Sequence, residues 1–237
     1  MSSHLPEVQE LLPFDELPAI AGGWATREYV VGGRRLTLTL PSQPDALLDD
    51  PQVLQAHALD GYMPYWGYLW PTSLETATAL LRENWRAGTT FLELGAGIGL
   101  TGLAALAAGL KVTFSDYDAQ AVRLALFNAR QNGFHESRGL LLDWRAPGCE
   151  KFSLIVGCDV VYEARNHAPL LDVVDAMLEP SGTCWITDPG RHQADLFVKA
   201  ARSRGYRCTL QTLAREPFPS RPDGVTHLWR LHIPQNG

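Results

Sequence analysis

The chain reads Thr-Phe-Leu-Glu-Leu-Gly-Ala-Gly-Ile-Gly at residues 90–99, an apolar run followed by glycines at alternating positions. Such a run predicts a strand buried on both faces, because it is apolar almost throughout. Glycine allows the backbone to turn sharply and to approach a bound molecule that a Cβ atom would push away. We therefore expect a ligand-binding turn at Gly95, Ala96 and Gly97, directly after the strand.

Strand and helix patterns alternate along the chain from this run onward. Strict alternation of apolar strands with helices predicts a parallel sheet covered by helices on both faces. The fold class expected is α/β, with a Rossmann-like, doubly wound and mostly parallel seven-stranded sheet. A turn is predicted at Pro222-Asp223-Gly224, between the last two strands. The predicted strands cover residues 90–94, 111–115, 139–142, 152–157, 183–187, 206–213 and 226–233, and the predicted helices cover 100–108, 119–132, 168–178 and 193–204.

A β-hairpin is predicted ahead of the sheet. Residues 28–40 contain two β-prone runs joined by Gly32 and Gly33, and glycine adopts both positive φ angles of a primed turn at little cost. The segment that follows is predicted as a loop and a short helix. We therefore expect an N-terminal extension over residues 1–60 and a main domain over residues 61–237.

The composition limits the classes of function. A chain of 237 residues that is 46% hydrophobic and 19% charged can bury a sizeable core. The four cysteines form no CxxC pair and have no histidine at ligand spacing, so we expect neither a disulfide framework nor a metal site. A net charge of -6 argues against nucleic acid as a partner. Residues 1–18 lack the pattern of a signal peptide, and no run reaches membrane-spanning length, so we expect a cytoplasmic protein and favour a monomer.

Acidic residues follow three further predicted strands. Asp116 lies 21 positions after Gly95, at the end of the second strand, where a carboxylate can accept hydrogen bonds from both hydroxyls of a ribose. Asp143 could accept a hydrogen bond from an adenine amino group while Trp144 stacks on the ring. Asp159 follows the next strand. A single aspartate at a strand end is often only a helix cap, but three at one edge of a parallel sheet indicate a binding site.

Two cofactors fit this pattern. Residues 97–102 satisfy GxGxxG, the dinucleotide fingerprint of an NAD(P)-dependent oxidoreductase. Glu93, two positions before Gly95, favours S-adenosylmethionine instead, because a carboxylate there suits the charged methionine end of that molecule. The fingerprint also lies far from the start of the chain, behind a predicted helix. We therefore favour S-adenosylmethionine and keep the oxidoreductase as the alternative.

Four segments together resemble methyltransferase family 16, the lysine-methyltransferase-like branch of the seven-strand methyltransferases. They are ELGAGIGLTG at 93–102, SDYD at 115–118, LLDW at 141–144 and CDVVY at 158–162. The resemblance spans about residues 60–190 and implies that S-adenosyl-L-methionine is the cofactor. The cofactor-binding residues expected from the motifs and the resemblance are Trp70, Glu93, Gly95, Ala96, Gly97, Asp116, Tyr117, Asp143, Trp144 and Cys158.

The resemblance also implies an acceptor site. The family's Asp-x-x-Tyr signature falls on Asp159 and Tyr162, which we expect to be catalytic: the carboxylate would accept a hydrogen bond from the acceptor amine, and the tyrosine would shape the acceptor slot. A protein lysine is the favoured acceptor. A small amine or a nicotinamide-like heterocycle is the alternative, and a catalytically silent binding module is less favoured. Valines at 160 and 161 replace the two prolines of enzymes that methylate base amines, which argues against that acceptor.

Two other segments allow more than one interpretation. Residues 61–70 contain five aromatic side chains, which could form an acceptor wall or a hydrophobic plug at the edge of the sheet, and Trp66 is assigned to the acceptor side. Asn128 and Asn132 resemble an asparagine pattern of the family. Their spacing of four is first interpreted as one face of a helix and a C-terminal cap.

Overall fold

The computed structural model describes residues 16–213 and 224–233, and its elements follow the predicted alternation closely. The predicted turn residues Pro222 and Asp223 lie outside the described residues. In chain order the elements are β1 (Trp24–Val31), β2 (Arg34–Pro41), α1 (Pro51–Asp60), α2 (Ser73–Arg82), β3 (Thr90–Leu94), α3 (Leu100–Ala107), β4 (Lys111–Asp116), α4 (Ala119–Gln131), β5 (Arg138–Leu141), β6 (Phe152–Cys158), α5 (His167–Met177), β7 (Leu178–Asp188), α6 (His192–Ser203), β8 (Arg207–Leu213) and β9 (Thr226–His232).

Seven strands form the main sheet in the order β5-β4-β3-β6-β7-β9-β8, and the predicted fold class is confirmed. The first five strands of this order pair in parallel, and β9 pairs antiparallel with both of its neighbours. The chain moves from β3 outward through β4 to β5, and then returns to start again at β6 on the other side of β3. This reversal creates a crevice at the carboxyl ends of β3 and β6, where ligands bind in folds of this kind.

Helices cover the sheet on both faces because neighbouring residues of each strand point to opposite sides. Phe91 packs in a buried cluster with residues of α2, α3 and α4, whereas Leu92 packs in a second cluster with α5 and α6. Both side chains are fully buried. The two covered faces therefore explain why β3 is apolar at most of its positions. No helix among the described residues has both the length and the apolar character needed to cross a membrane.

The predicted hairpin is present. Val31 pairs with Arg34 across Gly32 and Gly33, whose φ angles are 54° and 83°. On β2 the side chains of Leu36, Leu38 and Leu40 are buried in the same cluster as Phe91 of the sheet, so the extension shares a core with the main domain.

Strand β7 is longer than predicted, beginning at Leu178 rather than at residue 183. The run Pro-Ser-Gly at 180–182 is typical of a turn, but the chain stays extended because the buried Leu178 pairs with Phe152 of β6. The pairing is irregular there, with a register shift between Phe152 and Leu154. A Cβ atom on Gly182 would lie 2.8 Å from the Leu178 side chain and 2.9 Å from the Ser153 carbonyl oxygen. The glycine thus serves close packing at an irregular strand rather than a loop.

Candidate cofactor and acceptor site

A cavity of about 460 Å³ opens at the crevice beside β3 and β6. This volume falls in the range of roughly 300–1,000 Å³ that is typical of sites for small molecules and cofactors. The ten predicted cofactor-binding residues and the two predicted catalytic residues all contribute to its lining: Trp70, Glu93, Gly95, Ala96, Gly97, Asp116, Tyr117, Asp143, Trp144, Cys158, Asp159 and Tyr162. The structure brings the whole predicted set together, while the role of each residue stays a prediction.

The glycine turn forms one wall of the cavity. Gly95, Gly97 and Gly99 have φ angles of 63°, 52° and 83°, in the left-handed region that side chains disfavour. A Cβ atom on Gly95 would lie 3.1 Å from the Val160 side chain, and one on Gly97 would lie 3.4 Å from the carbonyl oxygen of Trp66. The turn is therefore confined between the loop after β6 and the aromatic segment, which leaves its backbone facing the cavity.

Glu93 has a structural partner in addition to its place in the cavity wall. The side chain is buried, and its Oε2 accepts a hydrogen bond of 3.0 Å from the backbone N–H of Gly102, in the first turn of α3. The first N–H groups of a helix lack partners within the helix, so the carboxyl group satisfies one of them. Burial raises the pKa of Glu93 to about 8.

Asp116 is also partly engaged by backbone. Its Oδ2 accepts a hydrogen bond of 3.1 Å from the N–H of Gly97, and its Oδ1 accepts one of 2.9 Å from the N–H of Asp118. Burial raises the pKa of Asp116 to about 6. The backbone N–H of Tyr117 also interacts with this carboxylate, which offers about four acceptor positions, so one hydroxyl group of a ligand could still bind. These backbone contacts fix the carboxylate against the glycine turn.

Asp143 and Trp144 differ in how their polar groups are satisfied. Oδ1 and Oδ2 of Asp143 accept hydrogen bonds from Nε and Nη2 of Arg145, at 2.9 Å and 2.6 Å, and this pairing lowers the pKa of Asp143. The indole of Trp144 packs against the glycine turn, and its Nε1–H is buried without a partner among the described residues. Trp144 lines the cavity through its ring, because the N–H itself has almost no accessible surface.

Asp159, which is predicted to be catalytic, lines the cavity in an unusual conformation. Its φ angle of 58° is the single positive value of a non-glycine residue within the described chain. Such angles cost energy and concentrate at functional sites. The side chain is buried, and its Oδ2 accepts hydrogen bonds from Oγ1 and N of Thr72, at 2.6 Å and 3.2 Å. Oδ1 accepts a hydrogen bond of 2.7 Å from Nη1 of Arg191, so both oxygens have partners within the protein.

Arg191 holds two carboxylates at once. Its Nη1 also donates to Oδ2 of Asp188 at 2.9 Å, and the two carboxylate side chains are only 1% and 0% exposed. Sequence reasoning missed Thr72, Asp188 and Arg191. Asp188 could have been found, because it ends β7 as Asp116 ends β4. Nothing in the local sequence indicates that Arg191 returns to bind Asp159, 32 positions earlier.

Cys158 faces the start of α2. Its Sγ lies 2.9 Å from Oγ1 of Thr72, the residue whose hydroxyl also donates to Asp159. Burial raises the pKa of the Cys158 thiol to about 11, which keeps the thiol neutral near pH 7. The thiol is therefore a neutral part of the cavity wall.

Aromatic rings form the opposite wall. The ring of Tyr65 meets those of Tyr162 and Trp70 edge to face, at centroid distances of 5.6 Å and 5.8 Å. Burial raises the pKa of Tyr162 to about 12, so its hydroxyl is protonated near pH 7. Trp66 packs near Trp24 of the hairpin, with ring centroids 6.3 Å apart. The aromatic segment thus lines the cavity and also packs into the core, and Trp66 does both.

Comparisons with known proteins agree with this geometry. A profile of the family described as lysine methyltransferase matches residues 66–203. The electron transfer flavoprotein beta subunit lysine methyltransferase of Mus musculus is 30% identical over 174 residues, covering 71% of this chain and 67% of that protein. The histidine protein methyltransferase 1 homolog of Dictyostelium discoideum is 30% identical over 126 residues, covering 50% of this chain. The aligned region spans 41% of the length of that relative.

Solved structures share the fold. A ribosomal protein L11 methylase from Lactobacillus delbrueckii has a TM-score of 0.55 at 18% identity, over 70% of this chain and 81% of that one. A magnesium protoporphyrin IX methyltransferase from Synechocystis, with bound S-adenosylmethionine, has a TM-score of 0.56 at 15% identity, over 68% of this chain and 78% of that one. These two structures are similar to this chain in fold, whereas the family profile and the mouse relative are also similar to it in sequence. The resemblance to methyltransferase family 16 is therefore confirmed in place of the oxidoreductase alternative, and the chain belongs to the lysine methyltransferase family of S-adenosylmethionine-dependent methyltransferases.

Proposed function

We propose that this protein transfers a methyl group from S-adenosylmethionine to a lysine side chain of another protein. The names of the two relatives support a protein acceptor, one modified on lysine and the other on histidine. The observation that carries the proposal is the pairing of a buried carboxylate, Asp159, with the aromatic residues Tyr65, Trp70 and Tyr162 around one cavity. Aromatic faces suit the apolar stem and the cationic product of an alkyl amine.

The cavity fits the cofactor in three respects. The glycine turn lies in the cavity wall, Asp116 retains an acceptor position for a ribose hydroxyl, and the Trp144 ring lines the cavity beside the turn. We propose that these residues hold the nucleoside, with Asp143 and Tyr117 at its edge. When bound, the cofactor supplies a methyl group on a positively charged sulfur.

The residues of the acceptor side would orient the amine. We propose that Asp159, held by Thr72 and Arg191, uses a remaining acceptor position to bind an N–H of the lysine and to favour the positive charge that grows on its nitrogen. Tyr162 and Tyr65 exclude water and restrict the angle of approach, and correct orientation can contribute on the order of 7–11 kcal/mol. A free lysine has a pKa of about 10.4, so turnover should rise towards alkaline pH as the neutral amine forms.

Calorimetry with S-adenosylhomocysteine and NADH tests the cofactor. We expect the nucleoside to bind and NADH not to bind, and the reverse result would refute the proposal. Mass spectrometry then tests the acceptor, after incubating the protein with labelled S-adenosylmethionine and an extract of cells that lack the gene. Label on a protein lysine is expected. Label on a histidine or on a small amine would replace lysine as the acceptor.

Asp159→Asn tests the acceptor side against a matched control, Asp188→Asn. Each variant replaces one of the two carboxylates that Arg191 binds by a neutral amide. Asp159 lines the cavity, whereas Asp188 does not. We expect Asp159→Asn to bind S-adenosylhomocysteine normally and to lose roughly a hundredfold in turnover, as for the loss of one transition-state contact. Asp188→Asn should lose much less. Full turnover by Asp159→Asn on the true acceptor would exclude the assigned role.

A further inference from the structure

Two asparagines of α4 dock the hairpin onto the sheet. The side chain of Asn132 accepts a hydrogen bond of 2.9 Å from the backbone N–H of Thr37 and donates one of 2.7 Å to its carbonyl oxygen. Asn128 makes the same pair of contacts with Thr39, at 2.8 Å and 2.9 Å. The two amide side chains thus pair with the free edge of β2 as a neighbouring strand would. The interpretation of these residues as a helix face is confirmed, and Asn132 is the C-cap of α4.

The spacing of the two contacts follows from the geometry of the elements. Four residues of an α-helix advance about 6.0 Å, and two residues of a strand advance about 6.6–6.8 Å. Side chains four apart on α4 therefore meet strand residues two apart on β2, which face the same side. Asn128 and Asn132 therefore make equivalent pairs of hydrogen bonds with the hairpin.

Asn128 alone extends this contact to the cofactor turn. Its Nδ2 donates a second hydrogen bond of 3.0 Å to the carbonyl oxygen of Ile98, which lies in the glycine turn and lines the cavity. The second hydrogen bond of Asn132 goes instead to the backbone of its own helix, at the Asn128 carbonyl oxygen. Asn128 is fully buried, and both of its N–H groups and its carbonyl oxygen have partners.

We propose that Asn128 is a positioning residue for cofactor binding, which ties the carbonyl of Ile98 to β2 and so lets the hairpin hold the glycine turn in its binding conformation. The hairpin, residues 24–41, supplies no residue to the cavity lining, and Asn128 hydrogen-bonds both to its strand β2 and to the glycine turn. The contact fixes the peptide plane between Ile98 and Gly99, the residue with a φ angle of 83°. This inference rests on the proposed binding of S-adenosylmethionine.

Asn128→Ala and Asn132→Ala form a matched pair for the test. Each removes two hydrogen bonds to β2, so both should lower the melting temperature. Only Asn128→Ala should weaken the calorimetric affinity for S-adenosylhomocysteine, by about tenfold, which corresponds to one lost contact. Asn132→Ala should stay within about twofold of the wild type. Both variants keep the two tryptophans, Trp24 and Trp66, through which the hairpin also packs near the cavity.

Equal affinities in the two variants would overturn the inference, whereas a wild type that does not bind S-adenosylhomocysteine would instead refute the proposed function. If Asn128→Ala fails to fold, amide exchange of the wild type gives the answer. Binding is reciprocal, so a ligand that depends on the contact must also strengthen it. Added S-adenosylhomocysteine should therefore protect the Thr39 amide, bound to Asn128, more than the Thr37 amide, bound to Asn132. Protection of the glycine turn without any gain at Thr39 would contradict the inference.

Discussion

The guanidinium group of Arg191 lies 2.7 Å from the carboxylate of Asp159, and the carboxylate of this ion pair is buried. The side chain of Asp159 is 1% exposed and that of Arg191 is 27% exposed. The same guanidinium group binds Asp188, so one cation balances two buried carboxylates. Arg191, in the loop between β7 and α6, thereby fixes Asp159, which directly follows β6.

Replacing Arg191 by glutamine should destabilise the protein by about 3 kcal/mol, because breaking a buried ion pair leaves a charge without its partner. Urea denaturation measures the loss. Arg35→Gln is the control, since Arg35 pairs with Glu28 at an exposed position where an ion pair contributes little. Equal losses in the two variants would show that the Arg191 pair is no more important than a surface contact.

The stability of the protein should depend on pH through Glu93. Burial raises its pKa from 4.5 to about 8, so the folded protein holds a proton that the unfolded chain releases. The resulting stabilisation is complete below pH of about 4.5 and is lost as the pH rises to about 8. The free energy of unfolding of the wild type should therefore fall over this range relative to that of Glu93→Gln. Asp116 is present in both proteins, and its charge adds to the rise in the pKa of Glu93.

Parallel pH profiles for the wild type and Glu93→Gln would mean that Glu93 ionises as readily in the folded as in the unfolded state. The measurement is urea denaturation at a series of pH values. The glutamine retains a carbonyl oxygen that can accept the hydrogen bond from the Gly102 N–H. The cap of α3 is thus kept while the titrating group is removed.

Gly102→Ala should destabilise the protein, although alanine favours a helix interior by about 1 kcal/mol over glycine. A Cβ atom at this position would lie 2.3 Å from the ring of Phe114 and 2.6 Å from Oε2 of Glu93. Overpacking of this kind costs about 1–3 kcal/mol. Denaturation of Gly102→Ala measures the loss, and the same substitution in a Phe114→Leu background should cost less. A loss that is the same in both backgrounds would exclude Phe114 as its cause.

The two indoles of the cavity should respond differently to replacement by phenylalanine. The Trp70 N–H donates a hydrogen bond of 3.1 Å to the Tyr65 carbonyl oxygen, whereas the Trp144 N–H is one of the buried groups for which the described residues offer no acceptor. Trp144→Phe should therefore lower the melting temperature less than Trp70→Phe does. It should nevertheless weaken the binding of S-adenosylhomocysteine in calorimetry, because the smaller ring offers less area on which the adenine can stack. Unchanged affinity in Trp144→Phe would show that the ligand does not stack on this ring.

Much of the site could be predicted because its residues follow local patterns. Strand β3 begins and ends where the sequence pattern predicts. Asp116, Asp143 and Asp159 line one cavity, as expected from the rule that the carboxyl ends of parallel strands lie at one edge of the sheet. The topology rule needs only the order of elements, which periodicity supplies.

Contacts between distant parts of the chain could not be predicted in this way. Asn128 binds Thr39, 89 positions away, and neither residue has a neighbour whose type or spacing indicates the pairing. Arg191 is likewise an ordinary loop residue until the fold places it beside Asp159. At the start of β7 the local sequence was misleading. Residues 180–182 are typical of a turn, but the pairing of Leu178 with Phe152 keeps the chain extended.

Strand β9 lies between β7 and β8 but follows both of them in sequence. Until residues 226–232 have been synthesised, β8 therefore has no neighbour in the sheet, and β7 exposes a row of unpaired N–H and C=O groups at its edge. An open edge of this kind can pair with the strand of another molecule. The risk of aggregation is thus greatest before residues 226–232 emerge, when the residues that line the cavity are already present and the sheet still lacks β8 and β9.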